Sequence, residues 1–581
     1  MQIISVTQIL SDNELSAPNL NALNPNQDNY TTLLLQPEGD IEVGSSGVRN
    51  ADRLTAKRRF AAFLADAIHL QADLVVTPEY SMPWEVLEEA ITNGSTPRAG
   101  ALWVIGCEST TIQELEALSN RLSATATFIF EPVEPNTGRF LDPVAYVFLT
   151  SKSDSDIADH LVIVVQFKTF PMGDDDHFEI NGLQLGTRLY CFGNATTQLR
   201  LATLICSDAF AFLDSHAQEI YDRTLLIHIQ LNPKPRQDQY RQYRTRLLQY
   251  GGDQTEVICL NWAKNVYENH GGSRQCWDNI SGSAWYLRPD KFDYRDATLT
   301  TNHTKGLYFT WLKALRCNAL FFNYLPASYL ITATKVAHIA VPASVSRRRG
   351  PQVTAVRTWD DSSSSWMRRG VIDDGFSSIV KQCGNAESAI AGLAATNPFH
   401  AERALALCAG EISSHYDWHA VTHLDSCAIE PSEVVCRITA CQDTDPDASR
   451  FSIQRLRSCQ RVATILLSSL PTALLDLQAG FQIDWTPDSP HTNIAATSGR
   501  RATAIHLGNA YTAETAQRVA DLAADYIGRW ASEPNDILEA RQRLHVWYQD
   551  QGGQDVLCDR DRYVGFDDPH SDSPFDIARS K

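Results

Sequence analysis

Leu161-Val-Ile-Val-Val-Gln-Phe-Lys168 and Leu201-Ala-Thr-Leu-Ile-Cys206 share one plan: an apolar run that stops on a chemically capable side chain. Such runs lack polar alternation and are rich in β-branched residues, so they predict strands buried on both faces. Asp73-Leu-Val-Val-Thr-Pro-Glu-Tyr80 repeats the plan and ends on Glu79. Working outward, further strands are expected at Leu33 to Gln36, Leu102 to Ile105, Ala126 to Phe130, Ala145 to Thr150, Leu225 to Ile229, Val257 to Leu260 and Ala284 to Tyr286. Between them lie helices. Asn50 is the expected cap of one, in which Ala56, Phe60, Phe63, Leu64, Ala67 and Ile68 recur at helical spacing. A second runs near Trp84 to Ile91 and stops at Asn93-Gly94, and Gln239 to Gln249 reads as a polar surface helix. Buried strands with helices between them indicate an α/β domain with a layered sheet core.

The strand ends carry the chemistry. Glu179, in Asp176-His-Phe-Glu179, follows Lys168 by a short interval, and Cys206 is followed by Ser207-Asp208-Ala-Phe210. Downstream come Ile227-His-Ile-Gln-Leu-Asn-Pro233, Ile258-Cys-Leu-Asn-Trp-Ala-Lys-Asn265 and Ser281-Gly-Ser-Ala284. In this order the fragments resemble the nitrilase, or carbon–nitrogen hydrolase, superfamily. That family has a strand-end Glu, a strand-end Lys, a second Glu and a Cys nucleophile in the same succession. The resemblance implies an αββα sandwich and a site made of Glu79, Lys168, Glu179 and Cys206. It also implies that copies of the chain pair into a homo-oligomer.

The chemistry of the residues agrees with that implication. A thiol attacks as thiolate and is mostly protonated near neutrality, so it needs a base; Glu79 can take its proton and later activate water. Attack on an amide puts negative charge on oxygen. Lys168 and the backbone N–H of Ser207 are the donors expected to meet it, each worth ~3 kcal/mol. Glu179 would hold the Lys168 charge and carry a proton to the departing amine, and two carboxylates against one lysine and one thiol would leave the site nearly charge-balanced. The covalent intermediate is a thioester from an amide or a thioimidate from a nitrile. Nothing in the scheme needs a metal or an organic cofactor. The neighbours Asp174, Asp175 and Asp176 are alternatives to Glu179.

Other chemical residues receive the plainer reading. Cys107, Cys191, Cys259 and Cys436 read as small buried hydrophobes. His415, His419 and His423 would line one face of a continuous helix, a spacing that can hold a transition metal. Trp418, Val421 and Thr422 interrupt such a helix, and a solvated His face is the commoner arrangement, so no metal is assigned there.

Composition excludes several classes. The chain has 581 residues, 43% apolar and 20% charged, which suits a folded protein of more than one domain. A net charge of −19 argues against nucleic-acid binding, and Arg347, Arg348 and Arg349 read as a solvated loop. The first residues show no signal-peptide pattern, and runs such as Leu161 to Val165 are too short to cross a bilayer. The 13 cysteines are odd in number and contain no C-x-x-C pair, which reads as reduced thiols in a cytoplasmic setting.

Trp359-Asp-Asp-Ser-Ser-Ser-Ser-Trp366 reads as part of a linker, 359–370, between a nitrilase-like domain, 1–358, and a smaller mixed α+β domain, 371–581. In the latter, helices are expected near Ala401 to Ile412, Ile453 to Leu467 and Ala513 to Trp530, with strands at Val434 to Ala440 and Ala502 to Leu507. Leu307 to Tyr324 reads as an added buried helix. There is no Ser-Gly-Gly-x-Asp-Ser loop, so the ammonia-channelling arrangement of a glutamine-dependent NAD synthetase is not expected. The expected activity is hydrolysis of a small-molecule amide rather than a nitrile. A different class of reading makes the first domain a regulatory or interaction module, with residues 371–581 binding a protein partner in a prokaryotic stress or defence system.

Overall fold

The computed structural model describes residues 1–560 apart from a set of segments. The longer of these are 234–254 (Leu248 excepted), most of 288–304, 335–349, 370–379 and 412–445; shorter ones include 25–28, 174–177, 194–198, 278–282 and 313–316. The expected helix at 239–249, the strand at 434–440, Arg347 to Arg349, Asp174 to Asp176, Cys436, His415, His419 and His423 lie outside the described residues. Chain contacts divide the molecule into two units, Met1–Ile372 and Asp373–Lys581.

In the first unit the strands are β1 (Gln2–Ser5), β2 (Asn29–Gln36), β3 (Gly39–Gly44), β4 (Gly47–Asn50), β5 (Leu74–Met82), β6 (Leu102–Cys107) and β7 (Ala126–Phe130). Then come β8 (Pro143–Thr150), β9 (His160–Phe167), β10 (Arg188–Gly193), β11 (Arg200–Ile205), β12 (Thr224–Ile229), β13 (Thr255–Leu260) and β14 (Val266–His270). The last are β15 (Ser273–Cys276), β16 (Ala284–Leu287), β17 (Leu307–Leu312), β18 (Cys317–Phe322), β19 (Ala327–Thr334), β20 (Gln352–Asp360) and β21 (Ser365–Arg369). A nine-stranded sheet has the order β21-β20-β19-β2-β5-β6-β8-β9-β7, and an eight-stranded sheet the order β1-β10-β11-β12-β13-β16-β18-β17. A four-stranded sheet, β15-β14-β3-β4, stands beside them.

Period-two alternation sorts the side chains into layers. After the short α1 (Val6–Ser11) come the helices α2 (Arg53–His69), α3 (Trp84–Thr92) and α4 (Ile112–Leu122), whose Phe60, Phe63, Leu87 and Leu115 pack with Ile163, Val165 and Phe167 of β9. The alternate face of β9 meets the other sheet: Gln166 Nε2 donates to Thr203 O of β11 at 2.8 Å, and Gln166 Oε1 accepts from Tyr190 N of β10 at 2.9 Å. On β11, Ala202 and Leu204 face Phe212, Ala217 and Ile220, which belong to or follow the short helices α6 (Asp208–Ala211) and α7 (Asp214–Ile220). The layering is therefore helix, sheet, sheet, helix. With both faces covered, the strands have no polar alternation to show in the sequence.

Several expectations are corrected. Asn50 does not cap α2; Asp52 does, accepting from Thr55 N at 3.0 Å, while Asn50 bonds Glu108. Ile68 lies off the buried stripe of α2 and is 40% exposed. Leu307 to Tyr324 contributes the antiparallel hairpin β17–β18, paired from Leu307↔Phe322 to Leu312↔Cys317, because aromatic and β-branched residues suit a covered sheet as well as a helix. Over its described residues, 359–369, the expected linker is instead part of a sheet. Trp359 pairs with Trp366 across β20–β21, their rings 5.6 Å apart, and Trp366 Nε1 donates to Arg59 O of α2 at 2.9 Å. The serines form the turn, where the Ser362 and Ser363 hydroxyls donate to the Asp360 carboxylate. A polar run flanked by tryptophans is a hairpin tip when the tryptophans meet edge to face across the strands.

The second unit is a mixed α+β arrangement. Its five-stranded sheet runs Phe481–Ile483, Ile494–Ala496, Arg501–His506, Leu544–Gln549 and Asp555–Leu557 in sheet order. Only the pair Arg501–His506 with Leu544–Gln549 is parallel. Helices Pro398–Cys408, Pro446–Ser468 and Ala513–Trp530 fall at the expected places. Among the described residues no single helix is long and apolar enough to cross a membrane. One bent pair, Arg455–Ser468 with Thr472–Ala479, meets the test by length and composition, and its Leu456, Val462, Leu466 and Leu474 are buried in this unit's core.

Candidate active site

The second half of β5 supplies Glu79, the residues just after β9 and β11 are Lys168 and Cys206, and a short helix supplies Glu179. The pairing of β5 with β6 slips between Thr77 and Met82, and Tyr80 takes φ 54°. In a regular strand Glu79 and Tyr80 would point to opposite faces; the irregularity lets both reach one cluster. Gly106 makes this possible, since a Cβ there would stand 2.0 Å from Pro78 O.

Lys168 Nζ lies 2.7 Å from Glu79 Oε1 and 2.7 Å from Glu179 Oε1, and all three side chains are buried. Glu79 Oε2 accepts from Leu231 N at 2.5 Å, and its backbone oxygen accepts from Trp262 Nε1 at 2.8 Å. Glu179, on the short helix α5 (Phe178–Gly182), accepts from Tyr80 Oη at 2.8 Å and from Met172 N at 2.6 Å. Both carboxylates are thus oriented by donors besides the lysine.

Cys206 closes β11 with φ 40°, a left-handed turn that costs a non-glycine residue on the order of 1–3 kcal/mol. Its backbone is held on both sides: Cys206 N donates to Ile229 O at 2.8 Å, and the His228 ring Nε2 lies 2.9 Å from Cys206 O. Negative charge on Cys206, when it forms, is among the influences that favour protonated Lys168, so sulfur and ammonium share one electrostatic neighbourhood. Ser207 is buried, its hydroxyl donates to Phe170 O at 2.7 Å, and no acceptor meets its N–H among the described residues.

Two carboxyls escaped the sequence reading. Asp208 ties the lysine loop to the cysteine turn: Oδ1 accepts from Thr169 N, Thr169 Oγ1 and Phe170 N at 2.6, 2.8 and 3.0 Å, and Oδ2 from Ile205 N at 3.2 Å. Burial pushes it up to about 6 against those hydrogen bonds. Asp142, just before β8, lies opposite Lys168 in the β8–β9 ladder; Lys168 N donates to Asp142 O at 2.9 Å, and Asp142 Oδ2 is 3.4 Å from Lys168 Nζ. The near balance of charge expected from two carboxylates is therefore corrected: three buried carboxyls surround one ammonium. Their oxygens have a spacing that could hold a metal ion, and the Lys168 ammonium occupies that role.

Burial raises Glu79, with Lys168 opposing, and raises Asp142 well above the ordinary carboxylate range, with Glu79 adding to it. Burial opposes the charge on Lys168, yet Glu179 and Glu79 lift it well above an ordinary lysine. A cleft of about 690 Å³ opens elsewhere in this unit, among Phe60, Tyr267, Trp359 and Trp366, and touches none of these groups.

No family model matches the sequence, and no curated protein matches it. Solved structures that resemble the fold include Nit3 of Saccharomyces cerevisiae, a member of branch 10 of the nitrilase superfamily: 12% identity over 57% of this chain and 100% of that one, TM-score 0.30. An amidase from Nesterenkonia sp. aligns at 12% identity over 44% of this chain and 82% of that one, TM-score 0.27. A glutamine-dependent NAD+ synthetase from Acinetobacter baumannii aligns at 11% over 55% of this chain, TM-score 0.30, and only 49% of the synthetase is spanned. At these TM-scores the likeness carries no part of the functional argument, which rests on the site.

Proposed function

We propose that the unit Met1–Ile372 hydrolyses a non-peptide carbon–nitrogen bond, an amide in preference to a nitrile, as a nitrilase-type enzyme using Cys206, Glu79, Lys168 and Glu179. The observation that carries this reading is the fully buried Lys168 ammonium, held at 2.7 Å by each of two carboxylates and within electrostatic reach of Cys206, which follows β11 in a left-handed turn. An arrangement that buries this much charge away from the surface serves chemistry better than stability.

The reaction runs in two halves. Glu79 takes the proton of Cys206, and the sulfur attacks the amide carbon. Negative charge collects on the carbonyl oxygen, which accepts from Lys168 and from the Ser207 N–H. The carbon–nitrogen bond breaks as Glu79 returns its proton to the amine, a delivery first expected of Glu179, whose oxygens accept from Lys168, Tyr80 and Met172 instead, and an acyl thioester is left. Water then gives a proton to Glu79 and its hydroxyl to the acyl carbon; the thioester breaks, the acid leaves and Cys206 recovers its proton. Glu179 fixes Lys168 and orients the loop at Met172 throughout.

The test is a screen of small amides and nitriles, read by ammonia or amine release, for the wild type and Cys206→Ala. Turnover in the wild type and a loss of roughly 10⁴-fold or more in the variant are expected, as for other lost nucleophiles. Undiminished release by the variant would sink the mechanism. If no amide is turned over and Cys206 is alkylated no faster than other buried cysteines, the interaction-module reading takes its place, with Asp373–Lys581 as the partner-binding unit.

A further inference from the structure

Asp142 is absent from every step above, yet it is fully buried within the cluster. One oxygen from each of Glu79, Asp142 and Glu179 lies within 4.8 Å of the other two. Neither Asp142 oxygen accepts a hydrogen bond from an N–H or O–H group among the described residues; Lys168 Nζ, at 3.4 Å from Oδ2, makes an ion-pair contact only. An ionised carboxylate so placed would be poorly compensated for its lost water. The remaining partner is the Glu79 carboxyl, which Asp142 reaches with a hydrogen bond once one of the two carries a proton. Glu79 already receives Lys168 on Oε1 and the Leu231 N–H on Oε2, so the negative charge is better kept there and the proton on Asp142.

We infer that Asp142 is a positioning residue that remains a neutral carboxylic acid and donates a hydrogen bond to the Glu79 carboxylate, keeping that base ionised and aimed. The inference rests on the role given to Glu79 above. With Asp142 neutral, one ammonium faces two carboxylates, and moving the Cys206 proton to Glu79 leaves the net charge of the pocket unchanged. The titratable groups that face Asp142 are Glu79 and Tyr80 from β5, Cys107 from the end of β6, Lys168 from the end of β9 and Glu179 from α5. Burial acts on Asp142 in the direction the inference needs.

Two measurements test this on the full chain without an amide substrate, so a failure of the hydrolase reading does not obscure the result. The first is the infrared difference between wild type and Asp142→Asn at neutral pH. A carbonyl band of a protonated carboxyl, shifted in D2O and missing from the variant, is expected; its absence from the wild type overturns the inference. The second is the rate of Cys206 alkylation by iodoacetamide across pH. Asparagine keeps a neutral donor of the same shape, so its rate at neutral pH should stay within about threefold of wild type, whereas Asp142→Ala should be slower by roughly tenfold, the worth of a hydrogen bond to a charged group. The asparagine variant should also lack the inflection in the pH profile that ionisation of Asp142 imposes. An alanine variant as fast as asparagine, or an asparagine variant whose profile keeps every inflection of the wild type, overturns the inference. Should alanine fail to fold, the infrared comparison with the isosteric asparagine still decides.

Discussion

The two units bury charge in opposite ways. In Asp373–Lys581, Arg543 grips Asp476 with two parallel hydrogen bonds of 2.9 Å and spends other donors on Ala473 O and Arg501 O. Arg403 donates to Thr492 O and Asp484 O, and Arg455 Nε reaches Glu411 at 2.6 Å. Each guanidinium is matched by one carboxylate or by backbone oxygens, as a charge that only stitches elements together should be. In Met1–Ile372 one ammonium is set among three carboxyls, an excess of acid that contributes nothing to folding unless protons are shared. Matched charge marks architecture; unmatched charge, held in place by Tyr80 of β5, by Lys168 and Met172 after β9 and by Leu231 after β12, marks a site.

The sharpest way to break this contrast is Lys168→Met. It should abolish turnover and destabilise the first unit by about 4 kcal/mol, the cost of leaving a buried partner unpaired. The loss has a sign in pH. Lys168 opposes the protonation of Glu79, so without the ammonium Glu79 holds its proton more readily, and the deficit in thermal or denaturant unfolding should shrink as pH falls through the carboxylate range. A deficit that grows towards acid would contradict the assignment.

Gly106→Ala attacks the same corner through the backbone. Its Cβ would press on Pro78 O, so the irregularity of β5 must shift and carry Glu79 with it. A destabilisation of roughly 2 kcal/mol is expected, as for overpacking, with a fall in kcat larger than any change in KM. Unaltered kcat would mean that the strand irregularity does not aim Glu79.

Arg543→Leu should have the smallest effect, roughly 1–2 kcal/mol after allowing for the 19% exposure of Asp476, and none on turnover. Asp476 is partly desolvated, but Arg543 holds it below the ordinary carboxylate value. The pair therefore stabilises fully above that value and progressively less as pH falls through the lowered one. The variant should flatten this acid limb in unfolding of the second unit. An effect on amide turnover would show that the two kinds of buried charge are not separate.

The legible parts of the molecule share a local cause. Buried strands write themselves as apolar runs, so β9, β11, β12 and β13 could be placed to within a residue or two, and with them Lys168 and Cys206; β5 was found at its start but runs on to Met82, past Glu79. The α2 stripe was legible for the same reason, though its cap fell two residues later than expected. The errors share a cause too. Leu307 to Phe322 and the serine turn at 362–364 could be read either way from composition, and only the partner strands decided between helix and hairpin or between tether and turn.

The sequence by itself determined where apolar runs end and which reactive side chains stand at those ends, because burial on both faces leaves its mark one residue at a time. Asp142 shows what it did not determine. Asp142-Pro143 reads as an ordinary turn before a strand, and its place beside Lys168 depends on the antiparallel register of β8 with β9 across a long connection. Register is a property of paired strands, set by packing on both faces, and no single segment contains it. The same holds for the irregularity at Tyr80, which exists because Gly106 on the neighbouring strand leaves room for it.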